Sequence, residues 1–200
     1  NMIAMVFACT EEPVPNAAKA AKKAIIKCLN IKRPIFLWGP PGIGKSDLVK
    51  QIGDETDSYV IDIRLSLWDP TDIKGVPYFC HEDNTMKWAP PAELPSLAFA
   101  SNHKRIILFL DEMNSAPPSV QNAAYQLVLN RKVGAYELPD NVVIVAAGNR
   151  ESDKGVTYRM PAPLANRFIH LEMRADFTSW QNWAANKGIH KEDRKSTRLN

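Results

Sequence analysis

Five short, almost unbroken apolar runs decide most of what this chain can fold into. They are PIFLWG (34–39), YVIDIRL (59–65), RIILFLD (105–111), NVVIVAAG (141–148) and RFIHLEM (167–173). Each is strand-length and rich in β-branched or large aliphatic residues. None alternates apolar with polar, which suits strands buried on both faces. Helical patterns lie between and before them. Asn16 can cap a helix through about Leu29, with Ala17, Ala20, Ala21, Ala24, Ile25 and Cys28 on one face and lysines mostly on the other. Further helices are predicted near 44–53 and 117–130, the second capped by Asn114 or Ser115 with prolines in its first turn. Strands alternating with helices give an α/β fold with a mainly parallel sheet. With 200 residues, 45% of them hydrophobic, the chain can build one sizeable core.

Two regions break the alternation. Residues 66–101 are rich in Pro and Trp and contain a predicted hairpin around Tyr78–Trp88, turning at Glu82, Asp83 and Asn84. Residues 131–141 (RKVGAYELPDN) read as a second short hairpin. Insertions between core elements carry function more often than the scaffold does. Trp68, Trp88 and Phe79 are candidate partner-contacting aromatics, or residues that pack the insertion onto its domain.

Composition narrows the partners. Of the formal net charge of +3, the last eight residues supply a net +2 through Arg194, Lys195 and Arg198 against Asp193. The rest is nearly neutral, so charge gives no reason to invoke nucleic acid. Cys9, Cys28 and Cys80 form neither an even disulfide set nor a CxxC ligand pair, and read as reduced thiols of a cytoplasmic protein. No apolar run reaches the roughly 18 residues of a membrane span. The opening NMIAMVFACT lacks the basic n-region of a signal peptide. The closing DRKSTRLN matches the translated start of a common sequencing-library adaptor. The natural chain is therefore expected to depart from this sequence from about Asp193, and the N-terminus, which begins with Asn, to be incomplete.

The chemistry concentrates after the first run. GPPGIGKS (Gly39, Pro40, Pro41, Gly42, Ile43, Gly44, Lys45, Ser46) has the spacing G-x-x-x-x-G-K-[ST], preceded by a predicted strand and followed, from Asp47 on, by a predicted helix. Glycines let backbone N–H groups converge on phosphate oxygens, and the helix N-terminus adds its positive dipole end. Lys45 can reach the β- and γ-phosphates of ATP, and the Ser46 hydroxyl can ligate Mg²⁺. That gives a reason for the third run to end on two carboxylates, Asp111 and Glu112. Asp111 is read as part of the metal's shell, and Glu112 as the base that faces the attacking water.

With these motifs in hand, the chain resembles the MoxR-like group of AAA+ ATPases. LFLDEMNSAPPSVQNAAYQLVLNRKV looks like that group's Walker B segment and following helix, and VVIVAAGNRESDKGVTYRMPAPLANRF resembles its sensor 1 strand and the stretch ending in an arginine beside Phe. The resemblance covers roughly Ile31 to Met173. It implies a P-loop NTPase three-layer α/β/α fold with a five-stranded sheet and hairpin insertions. Residues 1–30 would be an N-terminal segment and helix, 31–173 the nucleotide-binding core, and 174–192 the start of an incomplete helical lid, before the adaptor-like 193–200. It implies that Asn149 is the sensor 1 residue orienting water against the γ-phosphate. Arg167 would be an arginine finger acting on a neighbouring subunit's ATP, with a structural ion pair as the alternative role and Arg159 in reserve. A homo-oligomeric ring, a hexamer, is implied, with a chaperone-like role often beside a von Willebrand factor A domain partner. The hairpins would face a central pore or a substrate. Ser115 departs from the pattern, standing where many relatives have Arg. Three other readings stay open: a nucleotide-dependent binding switch with little turnover, a small-molecule kinase and a DNA-directed motor.

Overall fold

Alternation of side-chain direction along the central strands divides the molecule into layers. In this computed structural model the described residues are 17–150, 152, 157–158 and 160–173, with side chains described from residue 22. The elements in chain order are α1 (Ala17–Asn30), β1 (Ile35–Trp38), α2 (Lys45–Glu55), β2 (Tyr59–Arg64), a 3-10 turn (Leu65–Leu67), α3 (Pro70–Lys74), β3 (Val76–Cys80), β4 (Thr85–Ala89), α4 (Leu97–Ser101), β5 (Ile106–Asp111), α5 (Pro118–Asn130), β6 (Lys132–Val133), β7 (Tyr136–Glu137), β8 (Val142–Gly148), α6 (Ala162–Ala165) and β9 (Ile169–Glu172). Five strands make one sheet in the order β2-β5-β8-β1-β9. Every pairing in it is parallel, so the expected mainly parallel sheet is wholly so.

Strand periodicity sends successive side chains to opposite faces. Ile106, Leu108 and Leu110 of β5 pack on one side with Val142, Ile144 and Ala146 of β8 and with Val120, Ala124 and Leu127 of α5. Ile107 and Phe109 point the other way, to a second core with Ile35 and Leu37 of β1, Ile25 and Leu29 of α1, and Val49 and Ile52 of α2. This is the three-layer α/β/α arrangement, with the sheet in the middle.

Burial on both faces holds for β5 and β8, where every residue is buried. It fails for β2, an edge strand in which only Ile63 is fully buried, and largely for β9 at the other edge. An apolar run cannot by itself say whether a strand has a neighbour on each side.

Both predicted hairpins form. β3 and β4 pair antiparallel from Val76↔Ala89 to Cys80↔Thr85, across a turn in which Asn84 takes the left-handed φ of 53° that Asn tolerates well. β6 and β7 pair Lys132↔Glu137 and Val133↔Tyr136. Trp68 packs against the core, so it serves the packing role, whereas Phe79 and Trp88 are exposed at 53% and 38%. The cap expected for α5 is also different. Pro117 occupies that position without a side-chain hydrogen bond, and Asn114 is engaged elsewhere. The proposed cap Asn16 of α1 and the reserve Arg159 lie outside the described residues.

Candidate nucleotide-binding and catalytic site

Parallel strands all end on the same edge, so β1, β5 and β8 deliver their C-terminal residues to one place. The loop after β1 turns there through Gly42 at φ 76° and Gly44 at φ 88°, backbone values that side-chain-bearing residues adopt only with strain. Gly39 is tied to the end of β8 by its N–H, which donates to the Gly148 carbonyl at 3.3 Å. Gly44 is the N-cap of α2, and its carbonyl accepts from Leu48 N at 3.0 Å. The first N–H groups of α2 therefore have no intrahelical acceptor and face the loop, as an anion site requires.

Lys45 is 8% exposed, and its ammonium donates to the carbonyls of Gly39 (2.7 Å) and Pro40 (3.1 Å) and to Asn149 Oδ1 (2.9 Å). These contacts hold the ammonium at the loop, where a phosphate could meet it. Beside it, Ser46 Oγ donates to Asp111 Oδ2 at 3.1 Å. These residues line an open cleft of about 270 Å³ that runs from Pro41 to Asp47 and is bounded by Arg64, Asp111, Glu112 and Asn149. Gly39 and Pro40 stand behind the cleft and contribute the carbonyls that steady Lys45.

The two carboxylates separate at once. Asp111 ends β5, 8% exposed, and its Oδ1 accepts the N–H of Glu112 at 2.9 Å. Glu112 then takes a left-handed φ of 55°, a conformation in which a non-glycine residue is strained. The chain reverses there, the Glu112 carbonyl accepting from Ser115 N (3.0 Å) and Ala116 N (3.2 Å). The Glu112 side chain reaches across the cleft mouth, where its Oε2 accepts from the Ser66 hydroxyl and its Oε1 lies 3.7 Å from Arg64 Nε.

The sequence reading did not single out Arg64 or Ser66, and took the buried Asn114 only as a candidate helix cap. Arg64 is brought in by register, being the β2 residue opposite Asp111, and a basic residue closing an apolar run was a usable signal. Ser66 carried none. Arg167 is exposed, sits just beyond α6 and lies outside the cleft, and its side chain makes no ion pair with a described residue. The structural ion pair weighed for it does not occur among the described residues.

Residues 35–173 match the family described as "ATPase family associated with various cellular activities (AAA)". Midasin of Giardia intestinalis is 27% identical over 155 residues, 74% of this chain but 3% of its own length. An ATP-dependent zinc metalloprotease FtsH homolog of Helicosporidium sp. subsp. Simulium jonesii is 35% identical over 113 residues, 52% of this chain and 7% of its own. The chain thus spans a small fraction of these relatives. Among solved structures, a protein of Cytophaga hutchinsonii described as an ATPase superposes with a TM-score of 0.61 at 18% identity, covering 88% of this chain and 56% of the other.

Proposed function

This chain belongs to the AAA family of ATPases, and we propose that it binds ATP on residues 39–47 and hydrolyses it with Mg²⁺. One observation carries the reading. A buried lysine, a polar strand-end amide and a Ser–Asp oxygen pair converge on one cleft, with a second carboxylate at its mouth. Backbone N–H groups of the loop and the first turn of α2 receive the phosphates, and Lys45 supplies the cation opposite the β- and γ-oxygens. Ser46 Oγ and Asp111 Oδ2 are hard oxygen donors 3.1 Å apart, and they suit Mg²⁺, which takes few protein ligands and keeps water. Bound there, the ion would neutralise charge developing on the phosphate oxygens.

Glu112 is the general base. In the present conformation its carboxylate rests on Ser66 and Arg64, so it must release or share the Ser66 contact when it accepts a proton from water. Asn149, held at Lys45, places its remaining amide donors on the cleft where the γ-phosphate and attacking water would lie. Arg167 acts on the ATP of an adjoining subunit in a homo-oligomeric ring, a hexamer. Its exposure, away from its own cleft, is what such a role needs.

The larger role is that of a MoxR-like remodelling ATPase of the cytoplasm, coupling hydrolysis to a protein partner such as one with a von Willebrand factor A domain. The exposed β3–β4 hairpin is the contact element for substrate or partner. No helix among the described residues is long and apolar enough to cross a membrane.

Glu112→Gln tests the assignment. It removes the base while keeping the shape, and turnover should fall by about 10²- to 10⁴-fold with ATP affinity retained. If the variant hydrolyses ATP as fast as its parent, Glu112 is not the base.

A further inference from the structure

We propose that Asn114 is a positioning residue for Asn149: its side-chain amide pairs with both backbone groups of residue 149, and so fixes where the Asn149 amide stands against Lys45. This rests on the catalytic reading of Asn149 given above.

The ladder between β5 and β8 runs in register through Leu110↔Ala146 and is extended by Met113 N donating to Ala147 O at 2.9 Å. Beyond it the backbones part, because Glu112 has turned the chain. There the Asn114 side chain takes over. Its Nδ2 donates to Asn149 O at 2.7 Å, and its Oδ1 accepts from Asn149 N at 3.2 Å. A side-chain amide presents an N–H donor beside a carbonyl acceptor in one plane, matching the pair a strand residue offers, so it continues the ladder by one residue. Gly148 leaves it room: a Cβ at that position would stand 2.2 Å from Asn114 Oδ1.

Asn114 is itself held. It is 4% exposed, and its carbonyl accepts from Tyr158 N at 2.7 Å and from Gln121 Nε2 at 3.4 Å. Gln121, 3% exposed on α5, also donates to Ala116 O at 2.9 Å and accepts from the Tyr125 hydroxyl. The Tyr125 hydroxyl, protonated at neutral pH like any tyrosine, is pushed up to about 12 by burial. A hydrogen-bonded chain thus runs from the middle of α5 through Gln121 and Asn114 to Asn149, and from there to Lys45 and the loop carbonyls.

The consequence is specific to the triphosphate. Asn149 Oδ1 is committed to Lys45, so the amide can face the cleft in only one sense while its backbone is pinned. Without Asn114 the residue after β8 loses two ladder bonds, and its side chain samples other positions. Displacing a catalytic group by about 1 Å can cost on the order of 10²-fold in rate, whereas binding through the diphosphate depends on the loop and should not change.

The test uses the full chain in four forms: parent, Asn114→Ala, Asn149→Ala and the double variant. Turnover of ATP is measured together with affinities for ADP and a non-hydrolysable ATP analogue. Each single variant should lower kcat by about 10- to 100-fold while ADP affinity stays within about twofold. The double variant should be no slower than Asn149→Ala, because Asn114 acts only through Asn149. The proposal is overturned if Asn114→Ala adds its full factor on the Asn149→Ala background. It is equally overturned if ADP affinity and the unfolding temperature fall in step with kcat, as a purely structural residue would require.

Asn114→Ser loses the paired amide donor and acceptor but keeps a small hydroxyl and adds no buried charge, and serves if the alanine variant does not fold. It should show a smaller loss of the same kind, and parent-like turnover would count against the proposal. If the parent itself does not turn over ATP, the catalytic reading fails. The inference is then decided by the affinity ratio of ATP analogue to ADP, which Asn114→Ala must lower and must do only when Asn149 is present.

Discussion

The cleft at the sheet's C-terminal edge and the β3–β4 hairpin are built on opposite principles. In the cleft, Lys45 and Asp111 are both 8% exposed, and each is bonded to a residue far away in sequence. Among the described residues no buried side-chain nitrogen or oxygen lacks a hydrogen-bond partner. In the hairpin, Phe79 and Met86 face each other across the strands yet are 53% and 71% exposed, and the charged pair Asp83–Lys87 lies within the turn and strand it serves. The cleft is set by tertiary contacts and leaves no buried side-chain polar atom without a partner among the described residues. The hairpin is set by its own neighbours and leaves apolar surface uncovered. Changes to one should therefore barely reach the other.

The largest effect should come from beneath the cleft. Phe109 is 1% exposed, in the core shared by α1, α2 and the sheet, and Phe109→Ala should cost about 3–5 kcal/mol in a denaturant titration. Next is Lys45→Ala, expected to weaken ATP binding roughly 100-fold, about 2.7 kcal/mol by calorimetry, with the fold intact. The paired change Phe79→Ser with Met86→Ser should sharpen the contrast. It removes one cross-strand pair, worth roughly 0.2–1 kcal/mol, and should leave nucleotide affinity unchanged. A large loss of affinity would show that the hairpin and the cleft are coupled after all.

The smallest effect is one of pH. The Lys87 ammonium and then the Thr85 hydroxyl hold the Asp83 carboxyl down at about 2. A depressed folded-state value means the contact stabilises the hairpin above the unfolded carboxylate value of about 3.9, and that support is lost as pH falls through about 2. The carboxyl is fully exposed, so the change should be local. Following the Asp83 carbon and the hairpin amides by NMR should show it, and Asp83→Asn should abolish the titration.

Much of this was legible in the residues. The spacing of Gly39, Gly44, Lys45 and Ser46, with a strand before and a helix after, needs only local geometry to make the strand–loop–helix turn proposed to hold phosphate. Two acids closing the most apolar run pointed to the same edge. Both hairpins were readable from turn residues between short extended runs. What misled was the assumption that Asn114 caps the following helix. Asn is a favoured N-cap, yet Pro117 opens α5 and the Asn114 amide goes to Asn149, 35 residues away. β2 was read like β5, although Asp62 and Arg64 alternate with Ile61, Ile63 and Leu65 as in a half-exposed edge strand.

By itself, then, the sequence determined the five sheet strands, the three longer helices, the two hairpins and the presence of a glycine-rich loop, two acids and a strand-end amide, because each depends on neighbours within a few residues. Only the tertiary structure decided that Arg64 and Ser66 meet Glu112, and that Asn114 completes the ladder at Asn149. Those contacts follow from the order and register of parallel strands. Long crossovers, rather than local turns, bring such strands together, and no local pattern in the chain encodes which residues will end side by side.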